Sequence, residues 1–186
     1  MNAYCIVVDT RLMASRLPRC LATLDTAIRR FPGRVEVHVV ADAASPRLYS
    51  LSKRYGARFE TIPCPSVGAR SNEAVHRNPG ETLVFPAPRA RLADGWLASA
   101  DLLLRGQHWD AVLFLPRVPP LSCSLIHLWR QRPPAGTLCV HREWFERIGG
   151  FDPLLDEAAG DDLVHRLRAC QARVLEVPFS QISLRS

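Results

Sequence analysis

Several aspartates in this sequence stand where an α/β sheet would present them to a ligand. Asp9 and Thr10 directly follow the first predicted strand, and Asp42 follows the second. Further along the chain, Asp161 and Asp162 stand side by side at the start of a predicted helix. In an open α/β sheet, ligands bind at the carboxyl ends of the strands, so Asp9, Thr10 and Asp42 are candidates for ligand contacts. The sequence therefore predicts a polar site along one edge of a sheet.

Strand-like and helix-like segments alternate along the chain and would form the scaffold of this site. The run of four apolar residues at 5–8 suits a strand that is buried on both faces. The predicted strands are 5–8, 35–40, 57–63, 81–85, 111–115, 136–141 and 173–177, and helices are predicted to begin near 15, 46, 69, 94, 142 and 161. Such alternation predicts the α/β class, with helices on both faces of a mostly parallel sheet and with 5–8, 35–40 and 83–85 as central strands. We take residues 1–186 as one domain, because no linker or repeat divides them.

The composition argues against several classes of protein. The 186 residues are 47% hydrophobic and 23% charged, as in an ordinary globular domain. No stretch approaches the roughly 18 apolar residues of a membrane span, and the first residues lack the pattern of a signal peptide. We therefore expect a cytoplasmic protein without a membrane span. The net charge of +6 comes from scattered arginines, with Lys53 as the single lysine, and this disfavours nucleic-acid binding.

Common catalytic motifs are missing from the sequence. It contains no G-x-G-x-x-G, no P-loop and no G-x-S-x-G, which argues against Rossmann dehydrogenases, P-loop enzymes and serine hydrolases. The six cysteines lie at least 15 residues apart, and the six histidines lack metal-ligand spacing. Both sets are therefore interpreted as structural.

The order of five short segments resembles a known family. The segments are VVADAAS at 39–45, GARSN at 68–72, GETLVF at 80–85, GWL at 95–97 and WFERIGGFD at 144–152. Family-2 glycosyltransferases of the GT-A nucleotide-diphospho-sugar fold carry similar segments in this order, namely V-V-D-D-G-S, G-x-A-R-N, G-E-x-I-x-F, P-G-W-L and F-E-x-V-G-G-F-D-E. The resemblance covers about 4–178 and implies a Rossmann-like three-layer sandwich with a mostly parallel central sheet.

The resemblance also implies a function and a set of contacts. It implies that the chain binds a nucleotide-diphospho-sugar and transfers the sugar with inversion to an unknown acceptor, which is a glycan, a lipid or a small molecule. The residues that would contact the nucleotide-sugar are Thr10, Asp42, Arg70, Asn72, Arg89 and Arg91, and those on the acceptor side are Gly149, Gly150 and Asp152. Structural roles compete with these, because Asp42 suits an Asx turn and Arg70 and Asn72 suit the surface of a first helical turn.

The general base of the family is an aspartate in an E-D pair at the start of a late helix. By resemblance, Asp162 or Asp161 would deprotonate the acceptor hydroxyl for in-line attack on the anomeric carbon. Matching Leu163 and Arg166 to the family's D-L-x-x-R without a gap would instead put 159–160 at the E-D positions, so two registers stay open. In a third interpretation, either aspartate only caps the helix.

The metal motif of the family, D-x-D, follows the fourth strand, where its carboxylates hold Mn²⁺ or Mg²⁺ against the diphosphate. This sequence has Pro-Ala-Pro at 86–88 in that register, and Asp94 is better explained as a helix cap. We therefore expect no metal cofactor. Arg89 and Arg91 stand where the metal would and could supply positive charge to a diphosphate, although a solvated surface pair is the simpler interpretation.

Three functions stay open at this point. The first is a glycosyltransferase, with or without a need for metal. The second is a catalytically silent relative that acts as a sugar-nucleotide sensor or a protein-interaction module, which the loss of both metal carboxylates favours. The third is a basic α/β protein that binds phosphorylated ligands, and it fits the charge but explains none of the ordered segments. A homodimer is compatible with the sequence, which does not fix the number of subunits.

Overall fold

The computed structural model describes residues 3–88, 92, 95–106, 108–115 and 136–178. Within these residues, the strands are β1 (Ala3–Asp9), β2 (Arg34–Ala41), β3 (Arg58–Thr61), β4 (Thr82–Phe85), β5 (Ala111–Phe114), β6 (Thr137–His141) and β7 (Val174–Val177). They form one seven-stranded sheet in the order β3-β2-β1-β4-β6-β5-β7. Neighbouring strands are parallel except for β6, which runs antiparallel to both β4 and β5. The predicted mostly parallel sheet is confirmed, and 5–8, 35–40 and 83–85 lie in interior strands.

Helices cover both faces of this sheet. They are α1 (Thr10–Met13), α2 (Leu17–Arg29), α3 (Pro46–Arg54), α4 (Val67–Arg77), α5 (Trp96–Arg105), α6 (Arg142–Arg147) and α7 (Ala159–Ala169), and a short 3-10 helix (Ala14–Arg16) joins α1 to α2. α3 begins at 46 as predicted, and Ser45 caps it, because its Oγ accepts the N–H of Leu48 at 3.3 Å. In the described part of the chain, no helix has the length and apolar character needed to cross a membrane.

The first helical segment begins earlier than the sequence predicts. A helix is expected from about residue 15, but α1 already follows β1 without a loop. The Asp9 carboxylate causes this early start, because its Oδ1 accepts the N–H groups of Arg11 at 2.8 Å and Leu12 at 3.4 Å. Asp9 is therefore an N-cap residue as well as the last residue of a strand.

The late helix also begins earlier than predicted, and this changes the position of two candidate residues. It is expected to begin near residue 161 but spans Ala159–Ala169, with Ala158 at the N-cap position. Asp161 and Asp162 both lie in the first turn, so neither caps this helix. Asp94, the predicted cap of the helix after β4, lies outside the described residues.

The two faces of β1 bury alternate residues in two separate cores. Tyr4, Ile6 and Val8 pack with α2 and α5, whereas Cys5 and Val7 pack with α4 and α7. Each large apolar side chain that becomes fully buried contributes about 1.5–3 kcal/mol. These cores hold the sheet between two layers of helices and fix the edge where β1, β4 and β5 end.

Candidate functional site

A cleft of about 860 Å³ lies at the edge of the sheet where β1, β4 and β5 end. Apolar residues of these strands form part of its lining, and the amino-terminal parts of α4 and α7 contribute other walls. The charged and titratable residues that line it are Asp9, Arg16, Glu157, Asp161, Asp162, His165, Arg168 and Glu176. The cleft therefore lies at the strand ends where an α/β sheet binds ligands.

Asp9 connects the end of β1 to α4 through a buried ion pair with Arg70. The Nε atom of Arg70 lies 2.6 Å from Oδ2 of Asp9, and Nη1 donates to the carbonyl oxygen of Cys64 at 2.8 Å. Arg70 is fully buried, and its Nη2 has no hydrogen-bond partner within the described residues. The sequence predicts that Arg70 contacts the nucleotide. Its side chain has no exposed surface, because it is buried in the ion pair with Asp9. Arg70 therefore holds Asp9, which lines the cleft, in its position.

Asn72 fastens α4 to the turn that precedes α7. Its Nδ2 donates to the carbonyl oxygen of Phe151 at 2.8 Å, and its Oδ1 accepts the N–H of the same residue at 2.8 Å. Gly150 has a φ of +71°, and a Cβ there would lie 2.6 Å from Oδ1 of Asn72. This turn therefore requires glycine at 150. The Asn72 amide is engaged by backbone groups, and its predicted contact with a nucleotide stays a prediction.

The acceptor-side residues expected from the sequence pack against the amino end of α4. A Cβ on Gly68 would lie 2.1 Å from the carbonyl oxygen of Asp152, so only glycine lets the turn approach the helix this closely. Gly149, Gly150 and Asp152 do not themselves line the cleft, whereas the neighbouring Phe151 does. The turn at 149–152, called the glycine turn below, therefore positions Phe151 in the wall of the cleft.

Arg11 links the ends of β1 and β2 to the chain that precedes α7. Its guanidinium group lies 3.5 Å from Oδ2 of Asp42 and 3.2 Å from Oδ1 of Asp156. Asp156 also accepts the N–H of Val67 at 2.8 Å, and this hydrogen bond, together with Arg11, lowers the pKa of its carboxyl group. The Asp42 side chain is largely exposed and lies within ion-pair distance of Arg11. Its carboxylate is therefore accessible to a ligand.

Asp161 and Asp162 line the cleft from the first turn of α7. Oδ2 of Asp162 accepts a hydrogen bond from Nε of Arg166 at 2.7 Å, one helical turn further along. Arg166 also donates to the carbonyl oxygens of Ile148 and Gly150 at 3.0 and 2.7 Å. Asp162 is therefore fixed relative to the glycine turn, while 30% of its side chain stays exposed.

Residues 86–88, which directly follow β4, offer no side-chain ligand for a divalent cation. Pro86 and Pro88 have no donor group, and the N–H of the buried Ala87 between them donates to Oγ1 of Thr137 at 3.1 Å. Across the residues that the structure describes, no group of three or more His, Cys, Asp or Glu side chains is arranged to hold a metal ion. The residues present in this register therefore do not fit the Mn²⁺ or Mg²⁺ site that the family resemblance implies.

The structure brings only some of the predicted site residues into one place. Asp161 and Asp162 line the cleft, and Asp42 is connected to its rim through Arg11. The predicted residues that lie around the cleft without lining it are Thr10, Asp42, Arg70, Asn72, Gly149, Gly150 and Asp152. Arg89 and Arg91, expected beside the diphosphate, lie outside the described residues.

Three further residues line the cleft although the sequence does not identify them as site residues, namely Arg16, Glu157 and His165. His165 is interpreted from sequence as structural, but its side chain is exposed in the cleft. The spacing of four residues from Asp161 to His165 indicates that both side chains lie on one face of the helix, so the sequence could have placed His165 in the cleft with Asp161. Arg16 carried no such signal, since its place depends on the 3-10 helix between α1 and α2.

Comparisons with known proteins identify the fold but no close relative. No protein-family model matches the sequence, and no curated protein matches it. The mannosyltransferase PcManGT from Pyrobaculum calidifontis, in complex with GDP-Man and Mn²⁺, matches with a TM-score of 0.67 at 18% identity, over 95% of this chain and 55% of that one. S. aureus TarS in complex with UDP-GlcNAc matches with a TM-score of 0.70 at 16% identity, over 94% of this chain and 56% of that one. Glucosyl-3-phosphoglycerate synthase from Mycobacterium tuberculosis, in complex with Mn²⁺, UDP and glucosyl-3-phosphoglycerate, matches with a TM-score of 0.69 at 15% identity, over 96% of this chain and 70% of that one.

These neighbours are GT-A glycosyltransferases, and all three share the fold at low sequence identity. The chain spans little more than half of the mannosyltransferase and of TarS. Its seven-stranded, mostly parallel sheet with helices on both faces agrees with them. This chain has the GT-A glycosyltransferase fold.

Proposed function

We propose that this chain binds a nucleotide-diphospho-sugar in the cleft and transfers the sugar, with inversion, to a hydroxyl group of an acceptor. The observation that carries the proposal is the position of Asp161 and Asp162 in the cleft wall, at the carboxyl edge of a GT-A sheet. The fold neighbours support it, since GDP-Man, UDP-GlcNAc and UDP are bound to the mannosyltransferase, TarS and the synthase. The acceptor is a glycan, a lipid or a small molecule.

The proposed reaction is a single displacement at the anomeric carbon. The acceptor oxygen forms the new bond to that carbon while the bond from the carbon to the diphosphate oxygen breaks. The bonding electron pair leaves with the nucleoside diphosphate, and the hydroxyl proton passes to a carboxylate of the protein. Because the acceptor attacks the face opposite the leaving group, the anomeric configuration inverts.

Asp162 is the proposed general base. The hydrogen bond from Arg166 to Oδ2 fixes the orientation of its carboxylate, and Oδ1 has no hydrogen-bond partner within the described residues. A carboxylate held in this way needs little reorientation to take the acceptor proton. Asp161, the adjacent residue in the same helical turn, is the alternative base, because it also lines the cleft.

The proposed nucleotide contacts lie at the ends of β1 and β2. Asp42 is largely exposed beside Arg11 and is proposed to accept a hydrogen bond from the nucleotide base. Thr10 follows Asp9 at the first position of α1, on the same edge of the sheet. Arg70 and Asn72, which contact Asp9 and Phe151, keep these strand ends and the glycine turn in place.

Calorimetric titration with UDP-, GDP-, dTDP- and CDP-linked sugars tests the donor half of the proposal. We expect at least one of these nucleotide classes to bind, with the same affinity in EDTA and in Mn²⁺, because the Pro-Ala-Pro register holds no ligand for the ion. Absence of binding by all four would contradict the proposal. An increase in affinity of about tenfold with Mn²⁺ would show that other carboxylates hold a metal.

Release of nucleoside diphosphate from the bound donor tests the chemical half. The second candidate function is a catalytically silent relative that binds sugar nucleotides as a sensor or serves as a protein-interaction module, and the Pro-Ala-Pro segment at 86–88 favours it. A sensor would bind the donor without releasing nucleoside diphosphate, whether or not acceptors are supplied. An interaction module would bind none of the four donors.

A further inference from the structure

Arg16 faces the same cleft as the segment where the family resemblance implies a metal. It lines the cleft together with Pro86, Ala87 and Pro88. It also lines a neighbouring cavity of about 340 Å³, to which the same three residues contribute. Arg16 and the Pro-Ala-Pro segment therefore share the lining of both cavities.

Arg16 is an exposed residue, and its side chain has no ion pair or hydrogen bond within the described residues. The other arginine that lines the cleft, Arg168, is paired with Glu176. Arg11 is likewise paired with Asp42 and Asp156 at the rim. Of the two described arginines that line the cleft, Arg16 is the one that forms no ion pair with a described carboxylate.

The backbone that carries Arg16 is firmly anchored. Met13 and Leu17, on either side of it, are buried, with 1% and 2% of their surface exposed. Ala14 has a φ of +43°, a conformation that L-residues rarely adopt, and its N–H donates to the carbonyl oxygen of Thr10. This turn sends the chain from α1 into the 3-10 helix that carries Arg16.

We propose that Arg16 binds the diphosphate of the donor and supplies the positive charge that a divalent cation supplies in metal-dependent sites. This inference rests on the proposed function. A guanidinium group stays charged at all relevant pH values and matches phosphate oxygens with two parallel N–H groups. In the transfer step, the electron pair that leaves with the nucleoside diphosphate adds charge to its terminal phosphate, and Arg16 stabilises that charge.

The test compares Arg16→Ala with the wild-type chain in titrations with UDP, GDP, uridine and guanosine in EDTA. We expect Arg16→Ala to weaken binding of the preferred nucleoside diphosphate by about tenfold or more and to leave binding of the nucleoside unchanged, because only the former carries phosphate. Arg16→Lys should weaken diphosphate binding less than Arg16→Ala does, because lysine keeps the positive charge but lacks the two parallel N–H groups of the guanidinium. Arg19→Ala is the matched control, because Arg19 lines the neighbouring cavity and not the cleft.

The outcomes separate this inference from the function on which it rests. If the wild-type chain binds UDP or GDP and Arg16→Ala binds it equally well, the inference is overturned and the proposed function stands. If Arg16→Ala weakens diphosphate and nucleoside alike, Arg16 acts on the shape of the cleft and the inference is also overturned. If the wild-type chain binds no nucleoside diphosphate or sugar nucleotide at all, the proposed function fails and the inference fails with it.

Discussion

Asp9 and Arg70, 61 residues apart in the sequence, form a buried ion pair in which Nε lies 2.6 Å from Oδ2. Oδ1 of the same carboxylate caps α1, so one side chain connects the end of β1 to two helices. Removing the arginine would leave the Asp9 charge buried without its partner, and such a loss costs about 3–5 kcal/mol. We therefore expect Arg70→Met to lower the free energy of unfolding by about that amount, measured by urea denaturation.

Arg77→Met is the matched control for this variant. It makes the same substitution on the same helix, but Arg77 pairs with Glu73 on the exposed surface. Exposed pairs contribute little, so Arg77→Met should leave the urea midpoint close to that of the wild type. An Arg70→Met protein as stable as the control would show that the buried pair does not stabilise the fold.

The Asn72 side chain should control the stability of the glycine turn. Asn72→Ala removes both hydrogen bonds to the backbone of Phe151 and leaves buried groups unpaired, which costs about 1–3 kcal/mol. We expect faster hydrogen exchange at the amide of Phe151 in this variant, with Glu73→Ala, on the exposed side of the same helix, as the control. Unchanged exchange at Phe151 would show that Asn72 does not hold the turn.

Asp110 and Arg173 should make stability depend on pH. Hydrogen bonds from the Arg173 side chain lower the pKa of Asp110, whose carboxylate lies 3.0 and 3.1 Å from two of its guanidinium nitrogens. Because the folded-state pKa is depressed, this pair stabilises the fold above the ordinary carboxyl pKa of about 4, and the stabilisation is lost as the pH falls further. Asp110→Asn should therefore lose less stability than the wild type between about pH 6 and about pH 3.

Urea midpoints measured at several pH values check this prediction. Asp25→Asn is the control, because Asp25 pairs with the exposed Arg29 on α2 and should leave the pH profile of the wild type almost unchanged. Identical pH profiles for Asp110→Asn and the wild type would show that the ion pair between Asp110, just before β5, and Arg173, just before β7, does not stabilise the fold.

The sheet and its helices were predictable because local patterns encode them. The apolar run at 5–8 forms an interior strand, and Ser45 followed by Pro46 begins a helix. The order of the five motifs also predicted the GT-A fold, which the solved structures bear out. The antiparallel direction of β6 was not predictable, because it depends on the pairing of β6 with β4 and β5 rather than on its own sequence.

The cleft was less predictable, because its residues acquire their roles through contacts between distant segments. Arg70 and Asn72 belong to a recognisable motif, but their partners, Asp9 and Phe151, lie 61 and 79 residues away. No local pattern shows that these side chains turn inward. In the sequence Arg16 cannot be distinguished from the other surface arginines, and only the structure shows that it lines the same cleft as Pro86.

The pair of aspartates in α7 allows the reaction itself to be tested. In Asp162→Asn, the amide oxygen can still accept the hydrogen bond from Arg166, so the glycine turn should stay in place. The amide cannot take the acceptor proton, and we therefore expect donor affinity like that of the wild type with a loss of sugar transfer. Asp161→Asn, one residue away in the same turn, should keep both the donor affinity and the sugar transfer of the wild type. Transfer lost in Asp161→Asn alone would make Asp161 the base, and transfer kept in both variants would remove the two aspartates from the mechanism.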